Sequence, residues 1–308
     1  MNVCLKPSAS SPTSSSGRFA PSPTGTLHVG NLRTALLAWL FARSAGARFL
    51  VRIEDLDQGR VRTGMAEEQL GDLRAIGLDW DGEVVAQTNR HALYEDAIAR
   101  LRADGRIYEC FCTRAEIRAS ASAPHDPLPE GAYPGTCLRL SPAALERKRA
   151  GGRPPALRLR ADGAEVAFED RLLGRRSGVV DDFVVQRNDE APAYNLAVVV
   201  DDAAQGIGEV VRGADLVDST PRQLLLARLL GLPEPSHAHV ALVVGPDGRR
   251  LAKRHGAVTL RELGAERTFA WLARSLRMEG ARDARALLEH FEPGALLREP
   301  VVYPGVAR

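Results

Sequence analysis

Apolar residues along this chain fall into two rhythms, and the way they alternate predicts its architecture. From Leu32 to Ala45 (LRTALLAWLFARSA) they recur at helical spacing, and Gly46 closes the run. Arg48–Ile53 is a short continuous run, the mark of a buried strand. Met65–Ile76 and His91–Arg102 return to the amphipathic helical pattern, the second with Asn89 as its expected N-cap. Val179–Gln186, Ala193–Asp202 (AYNLAVVVDD) and Val210–Arg212 read as strands. Arg222–Leu230 reads as a helix, with Pro221 near its first position and Gly231 past its end. Val240–Val244 is apolar, Gly245–Gly248 turns the chain, and helical patterns follow at Thr268–Leu276 and Ala284–Phe291 before an extended Pro-rich close. Short buried strands alternating with amphipathic helices predict an α/β fold.

Composition narrows the class. The chain has 308 residues, 44% of them hydrophobic, enough for a substantial core in one or two domains. Net charge is only +2, so any contact with nucleic acid must come from local basic patches. Four cysteines do not make a disulfide scaffold. No run of eighteen apolar residues exists, and no membrane partner is expected. The opening MNVCLKPSASSPTSSSG lacks an apolar signal core and reads as a disordered tail over residues 1–17, with Cys4 incidental to it. These features predict a cytoplasmic protein.

The densest chemistry lies in Arg18–Asn31, RFAPSPTGTLHVGN. Phe19 and Ala20 can end a strand, Pro21, Pro23 and Gly25 force a turn, and the helical pattern resumes at Leu32. Strand, glycine-bearing turn and helix aim backbone N–H groups and a helix dipole at a phosphate. His28 and Gly30 stand at the mouth of that helix, one offering an imidazole and the other room for close approach. Glu54, Asp55 and Asp57 follow the strand Arg48–Ile53, where open α/β sheets bind ligands, and Glu54 leaves the strand first. Asp57 reads as part of a solvated turn.

Two further clusters carry candidate chemistry. Cys110 and Cys112 in YECFC, with Cys137 in YPGTC, offer three thiolates for a tetrahedral zinc ion. His125 and Tyr133 are both candidates for the fourth ligand, the imidazole being the commoner one chemically. From Leu138 to Arg160 seven cations (Arg139, Arg147, Lys148, Arg149, Arg153, Arg158, Arg160) oppose only Glu146. Arg249, Arg250, Lys253 and Arg254 crowd a second loop, the composition of a phosphate clamp.

Taken in order, these motifs resemble the glutamyl-tRNA synthetases of the class I aminoacyl-tRNA synthetase family. His28-Val29-Gly30-Asn31 is similar to their "HIGH" element, and Arg250–Arg254 to their "KMSKS" element. Arg52–Asp57, Asp181–Phe183, Ala193–Asp202, Arg212-Gly213 and Thr220–Gln223 occur in the same order. About fifty residues follow the Lys253 loop, as in the truncated glutamyl-Q tRNA(Asp) branch of that family. The resemblance implies a Rossmann-like parallel sheet in two halves (18–105 and 166–257), a zinc-bearing insertion (106–165) and a short helical C-terminal region (258–308). It implies ATP-dependent activation of L-glutamate and transfer to queuosine in the anticodon of tRNA(Asp); a monomer is expected. Arg18, Phe19, Ala20, Pro21, Ser22, Glu54, Tyr194 and Arg212 would bind glutamate. Thr24, His28, Gly30, Asn31 and Lys253 would bind ATP with Mg²⁺, His28 and Lys253 stabilising the charge that develops. One structural zinc would be held by Cys110, Cys112, Tyr133 and Cys137. Two departures stand out in the second loop, Arg250 at the first "KMSKS" position and Ala252 where a serine is usual. A truncated enzyme charging a tRNA 3′ end, or a silent RNA-binding paralogue, would share part of this pattern.

Overall fold

The computed structural model describes residues 16–113, 115–117, 132–251 and 258–305. Strand β1 (Gly17–Phe19) pairs in parallel with β2 (Phe49–Ile53), and β2 with β3 (Val85–Ala86). On the other side of β1, Ser16 bridges Ile207 in parallel, its N–H donating to Gly206 O at 3.2 Å. Strand β9 (Glu209–Gly213) begins there and runs parallel to β10 (Ser236–Val240). The hairpin of β6 (Glu165–Asp170) and β7 (Gly174–Val179) extends this half beyond β10. The sheet thus changes its direction of growth between β1 and β9, and ligands of open α/β sheets bind outside the carboxyl ends at such a point.

Helix α1 (Val29–Ser44) crosses this junction. Its leucines pack on the strands, and on its far side lie α7 (Ala265–Ser275) and α8 (Ala284–Glu289). Covered on both sides, it has little polar face, and even Arg33 is 1% exposed. That guanidinium donates to Ala241 O at 3.0 Å and Ser275 Oγ at 3.1 Å, and burial draws it down to about 10. Helices α2 (Met65–Ala75) and α6 (Thr220–Leu230) form as the apolar spacing predicts, the latter closed by Gly231 at φ 62°.

Four expectations need correction. Ala193–Asp202 is not a strand: Tyr194–Ala204 forms helix α5. Its valine run mimics a strand, but Leu196, Ala197 and Val200 pack into one core while Asp201 and Asp202 meet buried arginines. Val179–Gln186 is not one strand either, because Asp181 and Asp182 break it before β8 (Val184–Gln186) and accept bonds from Tyr133 N, Ala161 N and Tyr108. Asn89 does not cap α3 (His91–Ala103), since Gln87–Arg90 forms a 3₁₀ turn running directly into it. Gly17, assigned to the tail, is already in β1.

One sheet draws strands from both sides of residue 165, the expected end of the insertion. β4 (Ile107–Cys110), β5 (Ala156–Leu159) and β8 form one antiparallel sheet, so the insertion recruits a strand from beyond that position. Helix α4 (Pro142–Ala150), capped by Ser141, lies on its surface with no buried residue. Near the far end of the chain, β12 (Val301–Val302) pairs in parallel with β11 (Val243–Val244). No helix among the described residues is long and apolar enough to cross a membrane.

Candidate active site

At the carboxyl end of β1 the chain turns and enters α1 through His28. The His28 Nδ1 accepts from Asn31 N at 3.2 Å, and Asn31 Oδ1 accepts from His28 N at 3.1 Å, a reciprocal capping box. Burial, then the nearby Arg250 cation, hold the imidazole below its ordinary value. A neutral ring that accepts at Nδ1 carries its proton on Nε2, which leaves one N–H donor beyond the cap. Gly30 makes this placement feasible: a Cβ there would lie 2.9 Å from His28 Cε1 and 3.2 Å from Val243 Cβ. Val29 N donates to Val258 O at 2.8 Å, so the segment after the basic loop is tied to the same helix start.

A cavity of about 290 Å³ opens at this point. Arg18, Phe19, Ala20 and Ser22 line it from β1 and the turn, and His28, Gly30 and Asn31 from α1. Glu54 enters after β2, Tyr194 from the first turn of α5, Arg212 from β9, and Arg250 from the basic loop. Pro21 and Thr24 are not among the residues that line it: Pro21 O accepts from Glu54 N at 2.9 Å, and Thr24 N donates to Ser22 O at 2.8 Å. Lys253, like His125 in the insertion, lies outside the described residues.

The cations are held by partners both near and far in sequence. Arg18 grips Asp202 through two bonds of 3.2 Å. Arg52, fully buried, spans Asp202 at 2.7 Å and Glu54 at 3.2 Å, with Asp201 at 3.6 Å. Asp201 is further held by Gln87, Arg90 and Tyr94. Burial pushes the Glu54 carboxyl up against the opposing pull of Arg52 and Arg18. Arg212 donates to Gln223 Oε1 at 2.7 Å, Thr220 Oγ1 at 2.9 Å and His239 Nε2 at 3.0 Å. His239 in turn meets Asp170 at 2.6 Å through Nδ1. Against the effect of burial, that bond and the Leu172 and Leu173 amides hold Asp170 down to about 2. Arg52, Asp170, Asp202 and His239 were not singled out as site residues in the sequence. Acids or imidazoles inside apolar runs were the available signal, as in VVVDD and SHAHV.

The cysteines form a second centre. The Cys110, Cys112 and Cys137 sulfurs all lie within 4.8 Å of one another. Tyr133 Oη stands 3.5 Å from Cys110 Sγ and 3.8 Å from Cys112 Sγ, while Cys112 and Cys137 sulfurs are 3.5 Å apart. A tetrahedral zinc with ordinary bond lengths requires ligand–ligand edges of roughly 3.5–3.8 Å, so these four residues fit one. Burial, and then the neighbouring Cys137 sulfur, push the Cys112 thiol up to about 12, and a bound dication would supply the missing positive charge. Arg158 stacks on the Tyr133 ring at 3.7 Å and donates to Asp182 O at 2.6 Å. It therefore belongs to the interior and not to the exposed basic run.

A family model described as tRNA synthetases class I (E and Q), catalytic domain, matches residues 16–283. The glutamyl-Q tRNA(Asp) synthetase of Nocardia farcinica is 60% identical over 289 residues, covering 92% of this chain and 91% of that protein. The chain belongs to the glutamyl-Q tRNA(Asp) synthetase family. Another member, from Symbiobacterium thermophilum, is 49% identical over 308 residues, 94% of this chain and 95% of its own. Among solved structures, a glutamate tRNA ligase from Elizabethkingia meningosepticum in complex with its amino acid superposes with a TM-score of 0.81 at 25% identity. That likeness covers 95% of this chain and 68% of the ligase. Family membership makes the chain a ligase of the aminoacyl-tRNA synthetase type, with the α/β fold its sequence predicts.

Proposed function

We propose that the cavity joins L-glutamate to ATP and passes the glutamyl group to the queuosine base in the anticodon of tRNA(Asp), in the cytoplasm. One observation carries this reading: Arg18, Arg212 and Glu54 surround a single cavity in a chain 60% identical to a glutamyl-Q tRNA(Asp) synthetase. A substrate with two carboxylates and one ammonium needs two cations and one anion. Glu54 takes the ammonium, and Arg18 and Arg212 face the carboxylates, with Tyr194 closing one side. Phe19, Ala20 and Ser22 shape the wall beside them, while Pro21 supports Glu54 through its carbonyl.

In the first step a glutamate α-carboxylate oxygen attacks the α-phosphorus of ATP, and the bond to pyrophosphate breaks. The His28 Nε2–H and the Lys253 ammonium stabilise the added negative charge, Gly30 and Asn31 leave room for the nucleotide, and Mg²⁺ accompanies ATP. In the second step a hydroxyl of the queuosine ring attacks the activated carbonyl. An ester forms, the bond to AMP breaks, and the hydroxyl proton leaves with the AMP phosphate. Zinc, one per chain, serves only to hold the insertion through Cys110, Cys112, Tyr133 and Cys137.

Labelled-glutamate transfer to tRNA(Asp) with and without queuosine tests the reading, and label on the modified tRNA alone is expected. Likeness to a glutamate tRNA ligase favours a second reading, charging of a 3′ end. Oxidising the 3′-terminal ribose with periodate before queuosine is installed separates the two: transfer lost by that treatment would overturn the first. Glutamate-dependent ATP–pyrophosphate exchange is expected without RNA, and Lys253→Ala should slow it about 10²–10³-fold, the usual cost of one charge-stabilising contact. An unchanged exchange rate would remove Lys253 from the mechanism.

A further inference from the structure

A second cavity, about 660 Å³, lies beyond the first and shares Ser22, Glu54 and Tyr194 with it. Those three residues form a partition between the two spaces. The outer groove is bounded by the turn after β2, with Asp57, and by the loop after β8, with Arg187 and Asn188. Its volume is within the range of about 300–1,000 Å³ typical of pockets for nucleoside-sized ligands.

The carboxylates around this groove differ in what they already hold. Asp55 accepts from Thr88 N at 2.9 Å and Thr88 Oγ1 at 2.7 Å. Asp189 takes Arg187 Nη2 at 2.6 Å, and Glu54 takes Arg52. Asp57 has its two arginine neighbours, Arg187 and Arg60, at 3.6 and 3.9 Å, beyond hydrogen-bond reach, and its side chain is 41% exposed. It can therefore accept a cationic donor from the groove without breaking a short bond, while Arg187 stays on Asp189.

We propose that the outer groove seats the acceptor base and that Asp57 binds the secondary ammonium of its side chain. This inference rests on the queuosine reading above. Queuosine carries an amine, cationic at neutral pH, between the deazaguanine and the cyclopentene diol. A diol hydroxyl at the Glu54–Tyr194 partition meets the activated glutamate, and the amine then trails into the groove toward Asp57. Unmodified guanine has neither hydroxyl nor ammonium to offer, so Asp57 is a specificity residue for the modified base.

The test compares Asp57→Asn with the unaltered full chain in two assays. Pyrophosphate exchange should be unchanged. The kcat/KM for transfer to queuosine-containing tRNA(Asp) should fall about 10- to 100-fold, mostly through KM, the worth of one charged hydrogen bond. tRNA(Asp) carrying the aminomethyl precursor base, which has the amine but no ring, should inhibit the unaltered enzyme more strongly than Asp57→Asn. Equal transfer and equal inhibition in the two proteins would overturn the assignment, as would a parallel loss of exchange, which would make Asp57 a structural residue of the first cavity. An unaltered enzyme that exchanges pyrophosphate but never labels the modified tRNA would instead overturn the functional reading, and this inference with it.

Discussion

At the scale of single residues, the site divides by how far each contact reaches along the chain. Arg18 lies in β1, Glu54 directly follows β2, and His28 ends the turn between β1 and α1, so their chemistry shows in the sequence near strand ends, where open α/β sheets bind ligands. The groups that hold them were not legible, because Arg18 and Asp202 are 184 positions apart and His239 reaches Arg212 across two neighbouring strands. Glu54 gives a measurable consequence. Burial raises its carboxyl, so it takes up a proton at a higher pH than an ordinary carboxyl does. The protonated form cannot pair with an ammonium, and glutamate binding should weaken as pH falls through that raised value. The KM for glutamate in pyrophosphate exchange, followed from about pH 8 down to pH 5, should therefore rise earlier than ordinary carboxylate titration predicts. In Glu54→Gln the KM should be uniformly high, and an inflection that survives in that variant would assign the titration to another group.

At the scale of elements, periodicity located most helices and failed where tertiary burial overrode it. α1 and α6 obey their spacing because their apolar positions face cores, and turn residues close them. α5 defeats it because a Val-rich run was helical all along, with two aspartates facing arginines that no local rule reveals. The basic stretch was also only half legible. Arg147 and Lys148 ride on the exposed α4, whereas Arg158 is 7% exposed beneath Tyr133. The cap of α1 yields a sharp prediction. In Gly30→Ala the new Cβ must displace the His28 ring or Val243. A displacement on the order of 1 Å at a reacting group costs about a hundredfold, so exchange should fall by that order while the fold persists. Normal exchange in a folded Gly30→Ala protein would show that the ring position is immaterial.

At the scale of the whole molecule, the cysteine cluster and the cavity draw on different parts of the chain. The cysteines and Tyr133 pack as a small cluster of their own, and none of them lines the cavity. Cys112→Ser should therefore lower bound zinc from one per chain toward zero, and lower Tm by several degrees, while glutamate-dependent exchange remains measurable. Metal analysis beside thermal melts checks this, and unchanged zinc content would show that the four residues are not its ligands. The sequence led to an expectation of two halves with an insertion between them. It did not convey that β8 returns to complete the insertion's sheet, because strand pairing across that distance leaves no local mark.

The pairing of β11 with β12 has a bearing on how the protein is made. Val243 and Val244 lie just before the Gly245–Gly248 turn and Arg250, and their only paired strand among the described residues is Val301–Val302. Tyr303, 2% exposed, packs edge-on against Trp271 at 5.2 Å and fastens that strand in place. On the ribosome, at about 5–20 residues per second, β11 emerges seconds before its partner exists. The stretch of the first cavity's wall at Val243 is thus among the last parts of the described fold to be completed, and a nascent chain that already holds α1 and both halves of the sheet still awaits it.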